Sequence, residues 1–373
     1  MSNINVMITG GGTGGHISPG IALYEEMRER GMNAYILVGR KDKGFSPLEE
    51  IDKDNVFYYR APSFSKNPVL FLFFILRFII AVLNSIRILR KIRADAVIGM
   101  GGYVSAPAIT AALLLKIKIF LCEQNSVPGK VITKFAKYSE NIFTTFDVTQ
   151  QYIDTSLKPL ILNTGNPLRE DILLNIDKGK NEARGIFSLA HCKKVILIIG
   201  GSQGALAINE LIFSVKRENP DLFKDIGVIW STGEYSYQRF KDKLKSDISS
   251  GSIYLSPFID NIAMAYRASN IAIARSGAGV MMELAAVGLP SILIPYPYAT
   301  SNHQETNADV FVNAGAALKL KDKDADSSKT ASLLADLLSN PTKLKKMSLK
   351  AKSMSRPNAS SDIIDAVVNK ISE

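Results

Sequence analysis

Cysteine is scarce in this chain. Only Cys122 and Cys192 occur among 373 residues, which is too few for a disulfide framework, so the sequence predicts a reducing compartment. Residues 1–10 lack both a basic start and a long apolar stretch, so we expect no secretory signal. The three histidines and two cysteines do not have the spacing of a zinc site. These absences argue against small disulfide-rich and zinc-dependent classes.

Acidic residues are in deficit. Lys and Arg number 45 against 35 Asp and Glu, which gives a net charge of +10. Such an excess suggests a negatively charged partner, either nucleic acid, an anionic membrane surface or a phosphorylated substrate. The basic residues are not interleaved with aromatic ones as in nucleic-acid-binding segments. We therefore expect no nucleic acid, and we expect a membrane surface or a phosphorylated substrate.

The chain begins an α/β unit twice. An apolar strand over residues 4–9 ends in the glycine run 10–15, and a helix is predicted over residues 17–30. A second apolar strand, residues 194–199, ends in the loop 200–205. Because strand–loop–helix–strand repeats form parallel sheets, the sequence predicts an α/β fold with two Rossmann-like parallel-sheet domains facing each other across a cleft.

The breakers Gly165 and Pro167 mark the crossing between these domains. We place the first domain at residues 1–163 and the second at 164–340. Residues 341–373 are predicted to form a helical tail. At about 150 residues per domain, the length agrees with two domains.

The first glycine loop formally satisfies the dinucleotide fingerprint G-x-G-x-x-G with Gly10, Gly12 and Gly15. The acid that should bind the ribose is missing from the end of the next strand, where no carboxylate precedes Asp42. An NAD site is therefore disfavoured, while Arg40 keeps an NADP site open. The loop can still bring backbone N–H groups close to a phosphate.

His16 follows that loop directly. One hypothesis makes it a polar residue that caps the helix. The other makes it a general base in the cleft, because an imidazole with a pKa near ~6.5 can accept a hydroxyl proton. The residues alone leave both open.

A second anion site is predicted where the sequence RSGAG (residues 275–279) precedes a helix over 280–287. Glu283 falls one turn inside this helix, where its carboxylate can hold two sugar hydroxyls or can act as an ordinary acid near a helix N-terminus. A further acidic run, Asp322, Asp324 and Asp326, has the D-x-D spacing that can hold a metal bridging a diphosphate. It lies in a polar stretch, so we expect a solvated loop there.

An apolar run over residues 69–83 is interrupted only by Arg77. It is shorter than the ~20 residues that span a membrane. One alternative is burial in the core, and the other is a helix that lies in an anionic membrane surface. The second alternative assigns membrane contact to aromatic and basic side chains, namely Phe71, Phe74, Arg77, Phe78, Arg87, Arg90 and Lys91.

Seven motifs occur in a fixed order: GGGTGGHISPG (10–20), GGYVSAPA (101–108), EQNSVPGK (123–130), GNPLR (165–169), GGSQGA (200–205), RSGAGVMMELAAVGLPSILIPYP (275–297) and HQETNA (303–308). Together they resemble the bacterial cell-wall glycosyltransferases that transfer N-acetylglucosamine from its UDP donor to undecaprenyl-diphosphate-linked N-acetylmuramyl-pentapeptide. The resemblance implies a GT-B fold, inverting transfer without a tightly bound metal or cofactor, and action at the inner face of the plasma membrane. It also implies a C-terminal helix that returns to the first domain.

The resemblance further implies residue roles. His16 is the base for the muramyl 4-hydroxyl, and Tyr103, Glu123 and Asn125 line the acceptor side. The donor contacts are Thr13, Gly14, Gly15, Asn125, Arg169, Ser202, Ile259, Ala278, Gly279, Val280, Met281, Met282, Glu283 and Gln304. Two departures are Val280, where the family often has Thr, and the loop 61–68, which differs from the family loop.

Two other functions remain open at this point. One is a GT-B glycosyltransferase with another membrane lipid acceptor, such as diacylglycerol. The other is an NADP-binding oxidoreductase, which depends on the first glycine loop and Arg40 and leaves the second glycine loop and Glu283 unexplained.

Overall fold

The computed structural model describes residues 4–61, 68–201 and 204–373. Its contacts divide the chain into a first unit, Met1–Glu170 with Arg356–Glu373, and a second unit, Asp171–Ser355. The boundary thus falls after Glu170 rather than after residue 163, and the predicted tail is divided between the units. The crossing segment stays with the first unit because it packs there: a Cβ added to Gly165 would lie 2.3 Å from Cβ of Arg356.

Each unit contains one parallel sheet. The strands of the first unit are β1 (Asn5–Thr9), β2 (Asn33–Gly39), β3 (Val56–Tyr59), β4 (Ala96–Gly99), β5 (Lys118–Glu123), β6 (Asn141–Thr144) and β7 (Ile161–Asn163). Those of the second are β8 (Lys194–Ile199), β9 (Ile226–Ser231), β10 (Ile253–Ser256), β11 (Ile271–Ala274), β12 (Ser291–Leu293) and β13 (Ala317–Lys319). Their orders are β3-β2-β1-β4-β5-β6-β7 and β10-β9-β8-β11-β12-β13.

Sixteen α-helices connect or flank these strands in the described parts of the chain. They are α1 (Gly14–Glu29), α2 (Ser46–Glu49), α3 (Pro68–Lys91), α4 (Gly102–Leu115), α5 (Lys130–Phe135), α6 (Glu170–Asn175), α7 (Lys180–Ile186), α8 (Leu206–Glu218), α9 (Glu234–Lys243), α10 (Lys245–Ser249), α11 (Ile262–Ala268), α12 (Ala278–Val287), α13 (His303–Asn313), α14 (Ser327–Ser339), α15 (Pro341–Ser353) and α16 (Ala359–Ser372).

The central strands are continuous apolar runs because helices cover both faces of each sheet. Met7 and Ile8 of β1 and Ile196 and Leu197 of β8 are buried. The prediction of two Rossmann-like parallel-sheet domains is confirmed. In both sheets the strand order reverses beside the first strand, between β1 and β4 and between β8 and β11, which is where open α/β sheets bind ligands.

The terminal helix α16 completes the core of the first unit. Its Ile363, Ile364 and Val367 are buried in the same cluster as residues of β1 and α1. An ion pair between Arg30 and Asp365 joins the end of α1 to α16 at 2.5 Å. The apolar face of α16 therefore explains why this last segment belongs to the first unit.

Helix α3 contains the whole predicted apolar run. No side chain from Phe71 to Ile80 is buried, whereas Ala81, Val82 and Leu89 pack into the first unit. Among the described helices, α3 alone has the length and apolar composition of a membrane span. Core burial therefore accounts for the C-terminal half of the helix but not for its N-terminal half.

Candidate active site

The loops after β1 and β4 meet at the point where the order of the first sheet reverses. Glycine is required there by close approach: a Cβ on Gly10 would lie 2.7 Å from Cβ of Met100, and a Cβ on Gly102 would lie 2.8 Å from the carbonyl oxygen of Gly11. Two loops that are far apart in sequence thereby form one continuous surface at the carboxyl edge of the sheet.

His16 lies on this surface. Helix α1 begins at Gly14, so the predicted start at residue 17 was wrong, and His16 belongs to the first turn. Its Nδ1 lies 2.9 Å from Oγ1 of Thr13. A Cβ added to Gly101 would lie 3.3 Å from Cδ2 of the imidazole. The half-buried ring is thus held between the two loops.

Asp42 has a role in this loop that the sequence analysis missed. Its carboxylate accepts the backbone N–H of Gly12 at 3.0 and 3.2 Å, and it also accepts the N–H of Gly39 at 3.1 Å. In a dinucleotide site the acid after the second strand binds ribose and the glycine amides face the pyrophosphate. Here the acid binds the glycine loop itself and accepts the amide of Gly12, one of the amides that a dinucleotide pyrophosphate would use.

The predicted acceptor side divides into accessible and buried groups. Tyr103 is 46% exposed, and its Cε1 is 3.3 Å from where a Cβ on Gly12 would lie. Glu123 is only 3% exposed and accepts the N–H groups of Asn125 at 2.8 Å and Gly129 at 2.7 Å. Burial raises the pKa of Glu123 to about 7, against the opposing effect of these hydrogen bonds. Glu123 therefore shapes the loop that presents Asn125.

The second unit has its own glycine loop at the corresponding point, after β8. A Cβ on Gly204 would lie 2.2 Å from the carbonyl oxygen of Thr232, so the loop packs tightly against the end of β9. Ser202, a predicted donor contact, lies outside the described residues, as does Gln203. The predicted loop 61–68 also falls largely outside them, at residues 62–67.

Helix α12 follows β11 at the same point. It begins at Ala278 rather than at residue 280 as predicted, and in the described structure no side chain caps its N-terminus at Gly277. The amides of Ala278, Gly279 and Val280 thus form an uncapped helix start, which favours an anion. The side chains of Met281 and Met282 are buried, so a ligand contact at these two positions would use the backbone.

Glu283 projects from α12 and is half-buried. Its Oε2 accepts the hydroxyl of Tyr266 on α11 at 2.5 Å. No role for Tyr266 was predicted, since nothing in the sequence pattern of α11 marks its hydroxyl as the partner of a carboxylate on another helix.

Gln304 joins the loop after β12 to the loop after β11. Its Oε1 accepts the N–H of Tyr296 at 2.9 Å, and its carbonyl accepts the hydroxyl of Ser276 at 2.7 Å. Of the other predicted contacts, Ile259 is buried after β10, and Arg169 is half-buried in the first unit just before α6.

The prediction that the acidic run 322–326 is a solvated loop is incomplete, because two of its aspartates contact other residues of the second unit. Asp322 pairs with the buried Arg275 at 2.5 Å, and Arg275 also donates to the carbonyl oxygens of Ile294 and Pro295 at 3.1 Å. Asp326 caps α14. The described residues contain no group of three or more metal-binding side chains, and the expectation of no tightly bound metal stays a prediction.

Comparison with known proteins identifies the family. Residues 6–144 match the N-terminal domain of glycosyltransferase family 28, and residues 195–363 match its C-terminal domain. The chain belongs to this family. A relative from Halothermothrix orenii is 35% identical over 98% of both chains, and one from Listeria monocytogenes is 32% identical over 98% of this chain and 99% of its own. Both are named UDP-N-acetylglucosamine–N-acetylmuramyl-(pentapeptide) pyrophosphoryl-undecaprenol N-acetylglucosamine transferase.

The structural match is equally complete. The crystal structure of Acinetobacter baumannii MurG is 26% identical, has a TM-score of 0.72, and is matched over 98% of this chain and 99% of its own. The resemblance inferred from the seven motifs and the GT-B fold class are both confirmed. The predicted cleft between the domains and the individual site residues stay predictions.

Proposed function

We propose that this enzyme transfers N-acetylglucosamine from UDP-N-acetylglucosamine to the 4-hydroxyl of undecaprenyl-diphosphate-linked N-acetylmuramyl-pentapeptide. Its family and the names of its full-length relatives support this transfer. The observation in the structure that carries the donor assignment is α12, whose uncapped start is followed within the helix by a half-buried glutamate. That pair suits a ligand with a diphosphate next to a ribose diol.

The second unit binds the donor in this proposal. The amides of Ala278, Gly279 and Val280 face the diphosphate, where the positive end of the helix dipole stabilises negative charge. The carboxylate of Glu283 accepts the ribose hydroxyls. This same arrangement stabilises UDP as it leaves, because charge builds up on the phosphate oxygen as its bond to the sugar breaks.

The first unit supplies the base. The acceptor 4-hydroxyl oxygen attacks C1 of N-acetylglucosamine, the bond from C1 to the phosphate oxygen breaks, and UDP leaves with the electron pair. The hydroxyl proton passes to the imidazole of His16. Attack from the face opposite to the leaving group inverts the configuration at C1. Tyr103 and Asn125 contact the acceptor sugar, and Glu123 acts by holding the loop that carries Asn125.

We further propose that α3 attaches the enzyme to the cytoplasmic face of the plasma membrane. Most side chains of residues 71–80 are exposed and only Phe74 and Phe78 are half-buried, and exposed apolar side chains of this kind are stabilised by entering the headgroup and acyl boundary. The exposed Arg87, Arg90 and Lys91 follow on the same helix, where they attract anionic lipid. A lipid-linked acceptor stays in the bilayer, so the enzyme has to bind there.

Two assays test the proposal. Purified enzyme with labelled UDP-N-acetylglucosamine and the undecaprenyl-linked acceptor in phosphatidylglycerol vesicles should release UDP and label the lipid, and UDP-glucose should be a poor donor. Labelling of diacylglycerol instead would contradict the acceptor. In vesicle sedimentation, replacing Leu72, Leu76 and Ile80 by serine should reduce binding while transfer to a water-soluble acceptor continues. Unchanged sedimentation would contradict the role of α3.

A further inference from the structure

Tyr266 is a buried tyrosine whose hydroxyl is directed at the donor site of the second unit. It is 2% exposed, and its hydroxyl donates to Oε2 of Glu283 at 2.5 Å. The two residues lie on neighbouring helices, α11 and α12. A hydrogen bond to an ionised carboxylate is shorter and stronger than one between neutral groups, so this contact holds the end of the glutamate side chain.

The physical effect of that bond is to reduce the freedom of the carboxylate. A half-buried glutamate turns about three side-chain bonds and loses rotamer freedom when it binds a ligand. The buried ring of Tyr266 has a fixed position, so its hydroxyl fixes one carboxylate oxygen. A carboxylate offers about four acceptor positions, so in general it can accept a tyrosine hydroxyl and ligand hydroxyls together.

We propose that Tyr266 is a positioning residue for donor recognition, which orients Glu283 so that its carboxylate accepts both ribose hydroxyls of a uridine diphosphate sugar. This inference depends on the proposed function, which assigns the ribose to Glu283. Tyr266 then contributes to the preference for a ribonucleotide donor over a 2′-deoxyribonucleotide donor, although it does not itself contact the ligand.

Tyr266→Phe removes only the hydroxyl. We expect the KM and Kd for UDP-N-acetylglucosamine to rise about 5- to 30-fold, kcat to stay within about twofold, and the melting temperature to fall by only a few degrees. For the 2′-deoxyuridine analogue of the donor, the KM and Kd of wild type and variant should differ by a much smaller factor. A matched control is Tyr24→Phe, which should leave donor affinity unchanged. It removes the hydroxyl of another buried tyrosine, which accepts a hydrogen bond from Asn55 at 3.1 Å.

Glu283→Gln distinguishes a failure of this inference from a failure of the proposed ribose assignment. If both variants weaken binding of the ribonucleotide donor and the double variant is no worse than the stronger single one, the two residues act together as proposed. An equal loss for both donors in Tyr266→Phe would show that Tyr266 supports only the fold, and would overturn the inference. Unchanged donor affinity in Glu283→Gln would instead overturn the ribose assignment itself.

Discussion

The two units place different chemistry at the same point of the same topology. In each, a glycine loop after the first strand lies beside the loop after the strand where the order reverses. In the first unit the amide of Gly12 donates to the carboxylate of Asp42, and the imidazole of His16 lies between the two loops. In the second, Gly277 at the start of α12 makes no side-chain cap hydrogen bond in the described structure; Thr13 before α1 and Gly101 before α4 in the first unit make none either, so the difference lies in the amide of Gly12.

The comparison shows that a glycine-rich loop does not by itself define a phosphate site. What matters is whether a side chain of the protein already accepts the amides at the sheet edge. An amide that already has a carboxylate acceptor stabilises the loop, whereas an uncapped helix start remains suited to a ligand anion. In the proposed function, the first unit supplies a base for a neutral hydroxyl, and the second binds a charged donor.

The largest expected effect is that of His16→Ala. Loss of a general base should lower kcat by about 10²- to 10⁴-fold, while the Kd for UDP-N-acetylglucosamine stays within a few-fold. Steady-state kinetics with the lipid acceptor measure this. His191→Ala, at an exposed histidine of the second unit, is the matched control and should behave as wild type. Full turnover in His16→Ala would remove this residue from the mechanism.

Glu283→Ala tests the other half of the comparison. Because hydrogen bonds to a charged group contribute about 1.5–3 kcal/mol each, we expect donor KM to rise about 10- to 100-fold, with a smaller change in kcat. Glu234→Gln, on an exposed residue at the start of α9, is the control. A variant that loses kcat and keeps its donor KM would mean that the ribose is held elsewhere.

Asp42→Ala asks whether the carboxylate organises the first loop. The variant loses the hydrogen bonds that the carboxylate accepts from the amides of Gly12 and Gly39, so the free energy of unfolding should fall by about 1–2 kcal/mol. The fold decrease in kcat should exceed the fold increase in the KM for the donor. Urea melts and kinetics measure both. Asp52→Ala, which removes a local turn acceptor in the same unit, should affect stability alone. A selective loss of donor affinity in Asp42→Ala would show that the first glycine loop also binds the donor, and would contradict the difference between the two loops.

The last expected effect concerns stability alone and is the pH dependence due to Glu123. Its pKa is raised by burial from 4.5 to about 7 in the folded protein, so between these values the folded state holds a proton that the unfolded state has released. This group therefore lowers stability as pH rises through that window, by about 3 kcal/mol over its full width. Urea melts at several pH values should show this slope in wild type and not in Glu123→Gln. Parallel slopes would contradict the assignment.

The sheets and the glycine loops were predictable because their signals are local. A short apolar strand followed by glycines, as at β1 and β8, predicts the carboxyl edge of a parallel sheet without any tertiary information. The starts of α1 and α12 were placed too late. Thr13, directly before α1, is a typical N-cap residue whose signal was overlooked, whereas Gly277 before α12 gives no such signal.

The interactions that complete the site were not predictable in this way. Asp42 and Gly12 are 30 residues apart, Tyr266 and Glu283 are 17 apart, and Arg275 and Asp322 are 47 apart. Such contacts leave no periodic pattern, because they depend on which loops the sheet brings together. The exposure of the N-terminal half of α3 was likewise not predictable, since an apolar run is compatible with both a core helix and a membrane-bound one.

The central claim is that the first unit carries the base and the second unit binds the donor. Calorimetric titration of UDP-N-acetylglucosamine into wild type, His16→Ala and Glu283→Ala tests it most directly. We predict that His16→Ala binds the donor within a few-fold of wild type, although it turns over poorly, and that Glu283→Ala binds at least about tenfold more weakly. Weak binding by His16→Ala together with unchanged binding by Glu283→Ala would contradict the division of roles between the units.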